Sequence, residues 1–71
     1  MNISISQTEK LLQGNYRFRQ LGFSMLLTRL KKNYIKAPSQ ATLQSCASEI
    51  NTFLDKYKSI MADDFTKIAD I

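Results

Sequence analysis

The chain contains few side chains that could carry out covalent or metal chemistry. It has no histidine and no tryptophan, and its one cysteine is Cys46. Nucleophilic catalysis usually needs a histidine as general base, and zinc sites draw mainly on cysteine and histidine. Asp63 and Asp64 are adjacent carboxylates, but neighbouring helical positions diverge by about 100°, so the two cannot converge on one proton or metal ion. We therefore predict that the protein is not an enzyme and that it binds no metal and no cofactor.

Structural roles account better for the cysteine and the aspartates. A free cysteine on an apolar helix face usually acts as a small hydrophobic residue, and Asp63 could cap a short helix. A single cysteine cannot form an internal disulfide, which favours a reducing compartment. The sequence also has no signal-peptide pattern and no run of the ~20 apolar residues that a membrane span needs. These features predict a cytoplasmic protein without a membrane span.

Positive charge is concentrated in the first half of the chain. The net charge is +4: residues 1–36 have seven Lys and Arg against one Glu, and residues 37–71 have three Lys against five acids. Four of these cations would lie along one side of a continuous helix, and this alignment predicts a basic ridge that could bind an anionic partner. A helix face exposed to solvent explains the same pattern. The ridge consists of Lys10, Arg17, Lys31 and Lys32.

Helices have to position these residues. The chain has one proline and two glycines, and no strand-length alternation of β-branched and polar residues, so it is predicted to be all-α. Ser6 followed by Glu9 is a capping-box pattern and begins the first helix near residue 7. Pro38 ends that helix near residue 35, because the residue before a proline avoids the α region. Gly14 is a position at which the helix could break.

A second helix is predicted from about residue 40 to residue 61, with one broad apolar face that includes Leu43, Ile50 and Tyr57 and is flanked by Cys46 and Phe53. Ser39 is its N-cap, and Asp63 could begin a short third helix over residues 63–70, unless the second helix continues through this segment. The turn at about 36–39 is short, so the two long helices are predicted to form an antiparallel hairpin. Residues 1–71 then make one small domain.

The first helix has two apolar stripes on roughly opposite faces. One consists of Leu12, Tyr16, Phe23, Leu26, Leu27, Leu30 and Tyr34. The second consists of Leu11, Phe18, Leu21 and Met25. A chain of 71 residues builds only a small core, so we predict that the second stripe is a partner interface with Arg29 and Lys32 at its rim. The alternative is that residues 62–71 fold back and cover this stripe.

These patterns favour a non-catalytic protein interaction module over other functions. The hairpin would form a homodimer or dock a helix of another protein, and so complete a bundle. Small adaptors, chaperones, immunity proteins and secretion-apparatus subunits share this shape, although shape does not fix function. On this hypothesis Phe18→Asp or Met25→Asp abolishes association, whereas Phe23→Asp unfolds the chain.

Two other functions remain as alternatives. A nucleic-acid-binding regulator would use the basic ridge, and its binding would weaken steeply with salt. Binding to a membrane surface fits less well, because insertion needs a single apolar face and the first helix has two.

Overall fold

The computed structural model describes residues 2–71, and this part of the chain contains four helices and no strand. The helices are α1 (Ile5–Gln13), α2 (Leu21–Lys36), α3 (Gln40–Lys56) and α4 (Ala62–Ala69). The first three pack against one another. The all-α prediction is confirmed, whereas the hairpin of two long helices with a short third helix is not matched in detail. Met1, the first residue of the predicted domain, lies outside the described residues.

The single helix predicted over about 7–35 is two helices, α1 and α2, joined by residues 14–20. The break falls at Gly14, whose N–H donates to the Lys10 carbonyl at 2.8 Å. The Tyr16 ring packs against this glycine: a Cβ at Gly14 would lie 2.8 Å from Tyr16 Cδ2 and 2.9 Å from the Lys10 carbonyl oxygen. Only glycine fits here without movement of its neighbours. After the connection, Gln20 caps α2 by accepting the Gly22 N–H at 3.1 Å.

The start of α1 also differs from the prediction, because Ser4 is the N-cap and Ser6 lies inside the helix. Ser4 and Gln7 form the capping box: Ser4 Oγ accepts the Gln7 N–H at 3.1 Å, and Gln7 Oε1 accepts the Ser4 N–H at 2.9 Å. The preceding residue, Ile3, is buried and held by Asn51 of α3. Its N–H donates to Asn51 Oδ1 at 2.7 Å, and its carbonyl accepts from Asn51 Nδ2 at 3.2 Å. This clamp fixes the point at which the chain enters the helix.

The turn before α3 follows the prediction. α2 ends at Lys36, and Ser39 caps α3 by accepting the Thr42 N–H at 3.2 Å. The C-terminal end of α3 differs from the prediction, because this helix ends at Lys56 and not at residue 61.

A turn follows α3, and Met61 is the N-cap of α4 without a side-chain capping bond. Met61 is fully buried, so packing sets the position of the turn. Asp63 lies in the first turn of α4, and the prediction that it caps this helix is wrong.

The core draws on all four helices and on the N-terminal segment. Its buried members are Ile3, Leu11, Leu12, Phe23, Leu27, Leu30, Leu43, Cys46, Ile50, Leu54, Met61 and Ile68. The apolar face predicted for the second helix is therefore confirmed for α3. Full burial of a Leu, Ile or Phe side chain contributes about 1.5–3 kcal/mol each, so these residues supply the main driving force for folding.

Polar contacts hold α4 against the connection between α1 and α2. Asp64 is buried, and its carboxylate accepts the N–H of Arg19 at 2.8 Å and the N–H of Gln20 at 3.0 Å. Lys67 Nζ donates to the Arg17 carbonyl. The Asp64 carboxylate thus lies at the N-terminal end of α2, where negative charge is favourable. Residues 62–71 therefore fold back onto the first half of the chain.

Candidate protein interaction surface on α2

The structure separates the six residues predicted to form a partner interface. Leu11 is fully buried, because α1 packs against both α2 and α3, so its assignment to the interface is wrong. Phe18 is partly buried, and its ring meets Phe23 edge to face with centroids 4.9 Å apart. Lys67 Nζ of α4 lies 5.5 Å from the centroid of the Phe18 ring. The folded-back segment thus reaches this end of the second stripe.

The other four residues lie together on the outer surface of α2. Leu21 is 70% exposed and Met25 is 64% exposed, and Arg29 and Lys32 are exposed beside them. These positions span about 80° of the helix circumference, because each residue advances by about 100°. They line one shallow depression of about 410 Å³. We call this surface, formed by Leu21, Met25, Arg29 and Lys32, the α2 outer face.

Arg29 forms an ion pair across the edge of this face. Its Nη2 lies 2.7 Å from Glu49 Oε1 of α3, and both side chains are about half exposed. The hydrogen bond and the negative charge of Glu49 raise the pKa of Arg29. Exposed ion pairs of this kind contribute little to stability, so the Arg29 guanidinium can turn to another carboxylate at small cost.

A second depression of about 310 Å³ lies on the other side of Arg29, between α2 and α3. Its floor is formed by Leu26, Phe53 and Tyr57, which are all partly buried. We call it the α2/α3 groove. The apolar pattern of the sequence predicts these three residues in the core, and it does not predict the groove. Phe53 lies at the edge of the apolar face of α3, and Tyr57 lies one turn on, at the C-terminal end of the helix. These two positions are the signal that could have found the groove.

The predicted basic ridge does not lie along one helix. Lys10 is in α1 and donates to the Ile71 carbonyl at 3.4 Å, whereas Arg17 is in the connection. Lys31 donates to the Gly14 carbonyl at 3.0 Å, and Lys32 points about 100° away from it, on the α2 outer face. The spacing that aligned the four cations assumed a continuous helix, and the break at Gly14 removes that alignment.

Two ionisable groups outside the α2 outer face, Cys46 and Tyr34, have a raised pKa. Burial, together with the charge of Glu49, raises the pKa of the Cys46 thiol. Burial, together with the charge of Glu9, raises the pKa of Tyr34, whose hydroxyl donates to Glu9 Oε2 at 3.3 Å. Both shifts keep the side chain neutral, as expected for packed residues. Within residues 2–71, no cluster of three or more Cys, Asp or Glu is arranged to hold a metal ion.

Comparison of the chain with protein-family models, with curated proteins and with solved structures gives no match. Among residues 2–71, none of the helices combines the length and the apolar character that crossing a bilayer requires.

Proposed function

We propose that the protein is a non-catalytic interaction module that docks an amphipathic helix of another protein on the α2 outer face. The observation that carries this proposal is the exposure of Leu21 and Met25, one turn apart, on a helix whose opposite face is packed. A helix laid along this face would bury both side chains and would add a further helix beside α1, α2 and α3. Methionine suits such a site, because its flexible side chain adapts to the partner surface.

The charge of α2 selects the chemistry of the partner. This helix contains Arg29, Lys31, Lys32 and Lys36 and no acidic residue. A second copy docked face to face would bring like charges together, which costs several kcal/mol across an interface. An amphipathic helix with Asp or Glu beside its apolar stripe would instead pair with Arg29 and Lys32. We therefore favour an acidic partner protein over a homodimer, and a role as an adaptor or small chaperone for it.

A titration with synthetic peptides tests this proposal. Three peptides of about five helical turns share one leucine stripe and differ only in the flanking residues, which are Glu, Gln or Lys. Each is added to isotopically labelled protein while NMR resonances are followed. We expect the Glu peptide to shift the resonances of Leu21 and Met25 at the lowest concentration, and the Lys peptide to shift them least. Equal responses to all three peptides, or none at these residues, would overturn the proposal.

The same titration with a single-stranded oligonucleotide addresses the nucleic-acid alternative. Arg17 and Lys31 line a common depression with Tyr16, and these are the residues that such a ligand would shift. Binding to phosphates would also weaken steeply as salt is raised. Shifts confined to Arg17 and Lys31, without a response to the Glu peptide, would replace the protein-docking proposal by the alternative.

A further inference from the structure

We infer that the α2/α3 groove receives one bulky apolar side chain of the acidic partner, while Arg29 binds a carboxylate one helical turn away on the same partner. This inference rests on the proposed function and names the chemistry that the partner must carry. The groove and the α2 outer face share Arg29, so one docked helix can contact both.

The groove floor is held in place before any ligand binds. The Phe53 ring lies between Phe23 and Tyr57, with centroid distances of 5.6 and 4.6 Å. Phe23 is fully buried, so the row of rings is anchored in the core. A floor fixed in this way loses little side-chain freedom on binding, which is what a strong anchor pocket requires. Its volume of about 310 Å³ is at the lower end for ligand pockets and suits one side chain, not a whole peptide.

The rim of the groove favours a negative charge. Arg29 and Lys56 lie on it with one acidic residue, Glu49. Arg29 uses Nη2 for Glu49, and the guanidinium has further N–H donors in a fork that fits a second carboxylate. Lys56 Nζ lies 5.3 Å from the centroid of the Tyr57 ring at the other end of the floor.

The spacing along α2 defines the motif in the partner. Leu26 and Arg29 are three residues apart on one helix, which places their Cβ atoms about 5–6 Å from each other. A partner helix meets this spacing when its apolar anchor and its acidic residue are three or four positions apart. A small aryl-alkanoate reproduces the same pairing of a ring and a carboxylate.

The test uses 3-phenylpropionate and its neutral amide as matched probes in NMR titrations of the whole protein. We expect the acid to shift Leu26, Phe53 and Tyr57 and to bind several-fold more tightly than the amide. In Arg29→Gln, whose side chain is exposed and dispensable for packing, that preference for the acid should disappear while the ring still enters the groove. In Glu49→Gln the acid should bind a few-fold more tightly, because Glu49 no longer competes for Arg29.

The inference would be overturned by no response in the groove, by equal binding of acid and amide, or by an unchanged preference in Arg29→Gln. Shifts of the groove resonances on concentrating the protein alone would also overturn it, because a second copy would then be the occupant. The Glu peptide separates this failure from that of the proposed function. If it still shifts Leu21 and Met25 without a groove response, only the groove inference fails, and if it shifts neither residue, the proposed function fails too.

Discussion

The two faces of α2 contain similar apolar residues in opposite environments. Phe23, Leu27 and Leu30 are at most 4% exposed on the inner face, whereas Leu21 and Met25 on the outer face stand mostly in solvent. The inner face is covered because α1 and α3 both pack against this helix. What distinguishes the outer face is charge: three cations, Arg29, Lys32 and Lys36, share its arc, and the arc of the inner face has none. Apolar periodicity thus locates both faces, and the interleaved charge tells which of them stays in solvent.

Truncation of the inner face should have the largest effect. Phe23→Ala removes a fully buried ring that contacts both Phe18 and Phe53, so we expect a loss of about 3–5 kcal/mol. A core of this size supplies a similar total, so the variant should be largely unfolded by circular dichroism. Leu21→Ala, on the outer face of the same helix, should change the free energy of unfolding by less than about 0.5 kcal/mol. Equal losses in the two variants would erase the distinction between the faces.

The contact of the Asp64 carboxylate with the N-terminal end of α2 should have the next largest effect on stability. Asp64→Ala leaves the N–H groups of Arg19 and Gln20 without their acceptor, and we expect a loss of about 1–3 kcal/mol in urea denaturation. Asp63→Ala is the matched control, because Asp63 is the exposed neighbour in the same turn of α4. A loss of similar size in the control would show that general charge, and not this contact, holds α4 in place.

The sequence predicts the local features of this fold and misses those that depend on distant residues. Ser39 as a cap, the stop before Pro38 and the apolar face of α3 all follow from spacing within a few residues. The end of the connection at Gln20 depends on Asp64, which lies 44 residues away. The start of α1 has a local capping box at Ser4 and Gln7, and it is held in addition by the clamp from Asn51 to Ile3, 48 residues away. Neither bond leaves a periodic signal in the chain.

The residues predicted for the candidate surface also divide into those that the local pattern predicts correctly and those that it does not. Leu21 and Met25 are exposed as their second-stripe positions predicted, whereas Leu11 is in the core and Phe18 packs against it, because residues 14–20 interrupt the helix that the stripe assumed. Phe18→Asp is accordingly expected to destabilise the fold, and it no longer serves with Met25→Asp as a selective test of association.

Buried ionisable groups of the core should make stability fall at alkaline pH. The pKa of Cys46 is raised above its ordinary value of 9.0, so its contribution is complete below that pH and is lost as the pH rises through the raised pKa. The free energy of unfolding is measured from pH 7 to just below pH 10.0, the ordinary pKa of Tyr34, so that the decline from the thiol is seen before that of the tyrosine. We expect Cys46→Ala to remove most of the decline over this range, and an unchanged decline would assign it to other groups.

Substitution of the outer face should have the smallest effect on stability and a large one on binding. Met25→Asp should change the free energy of unfolding by no more than about 0.5 kcal/mol, because Met25 is mostly in solvent. It should nevertheless abolish binding of the Glu-flanked peptide. Ile35→Asp is the matched control, since Ile35 is 77% exposed on the same helix but lies off the outer face. Equal binding of the peptide by the two variants would contradict docking on the outer face.

The most direct test of the central claim, that the α2 outer face is free in the folded chain and reserved for another protein, is the solution mass. Light scattering behind size exclusion, over a concentration series at low and high salt, should give 8.2 kDa throughout. A stable species near twice that mass, which Met25→Asp returns to the monomer, would contradict the claim, because the outer face would then be an interface between two copies of this chain.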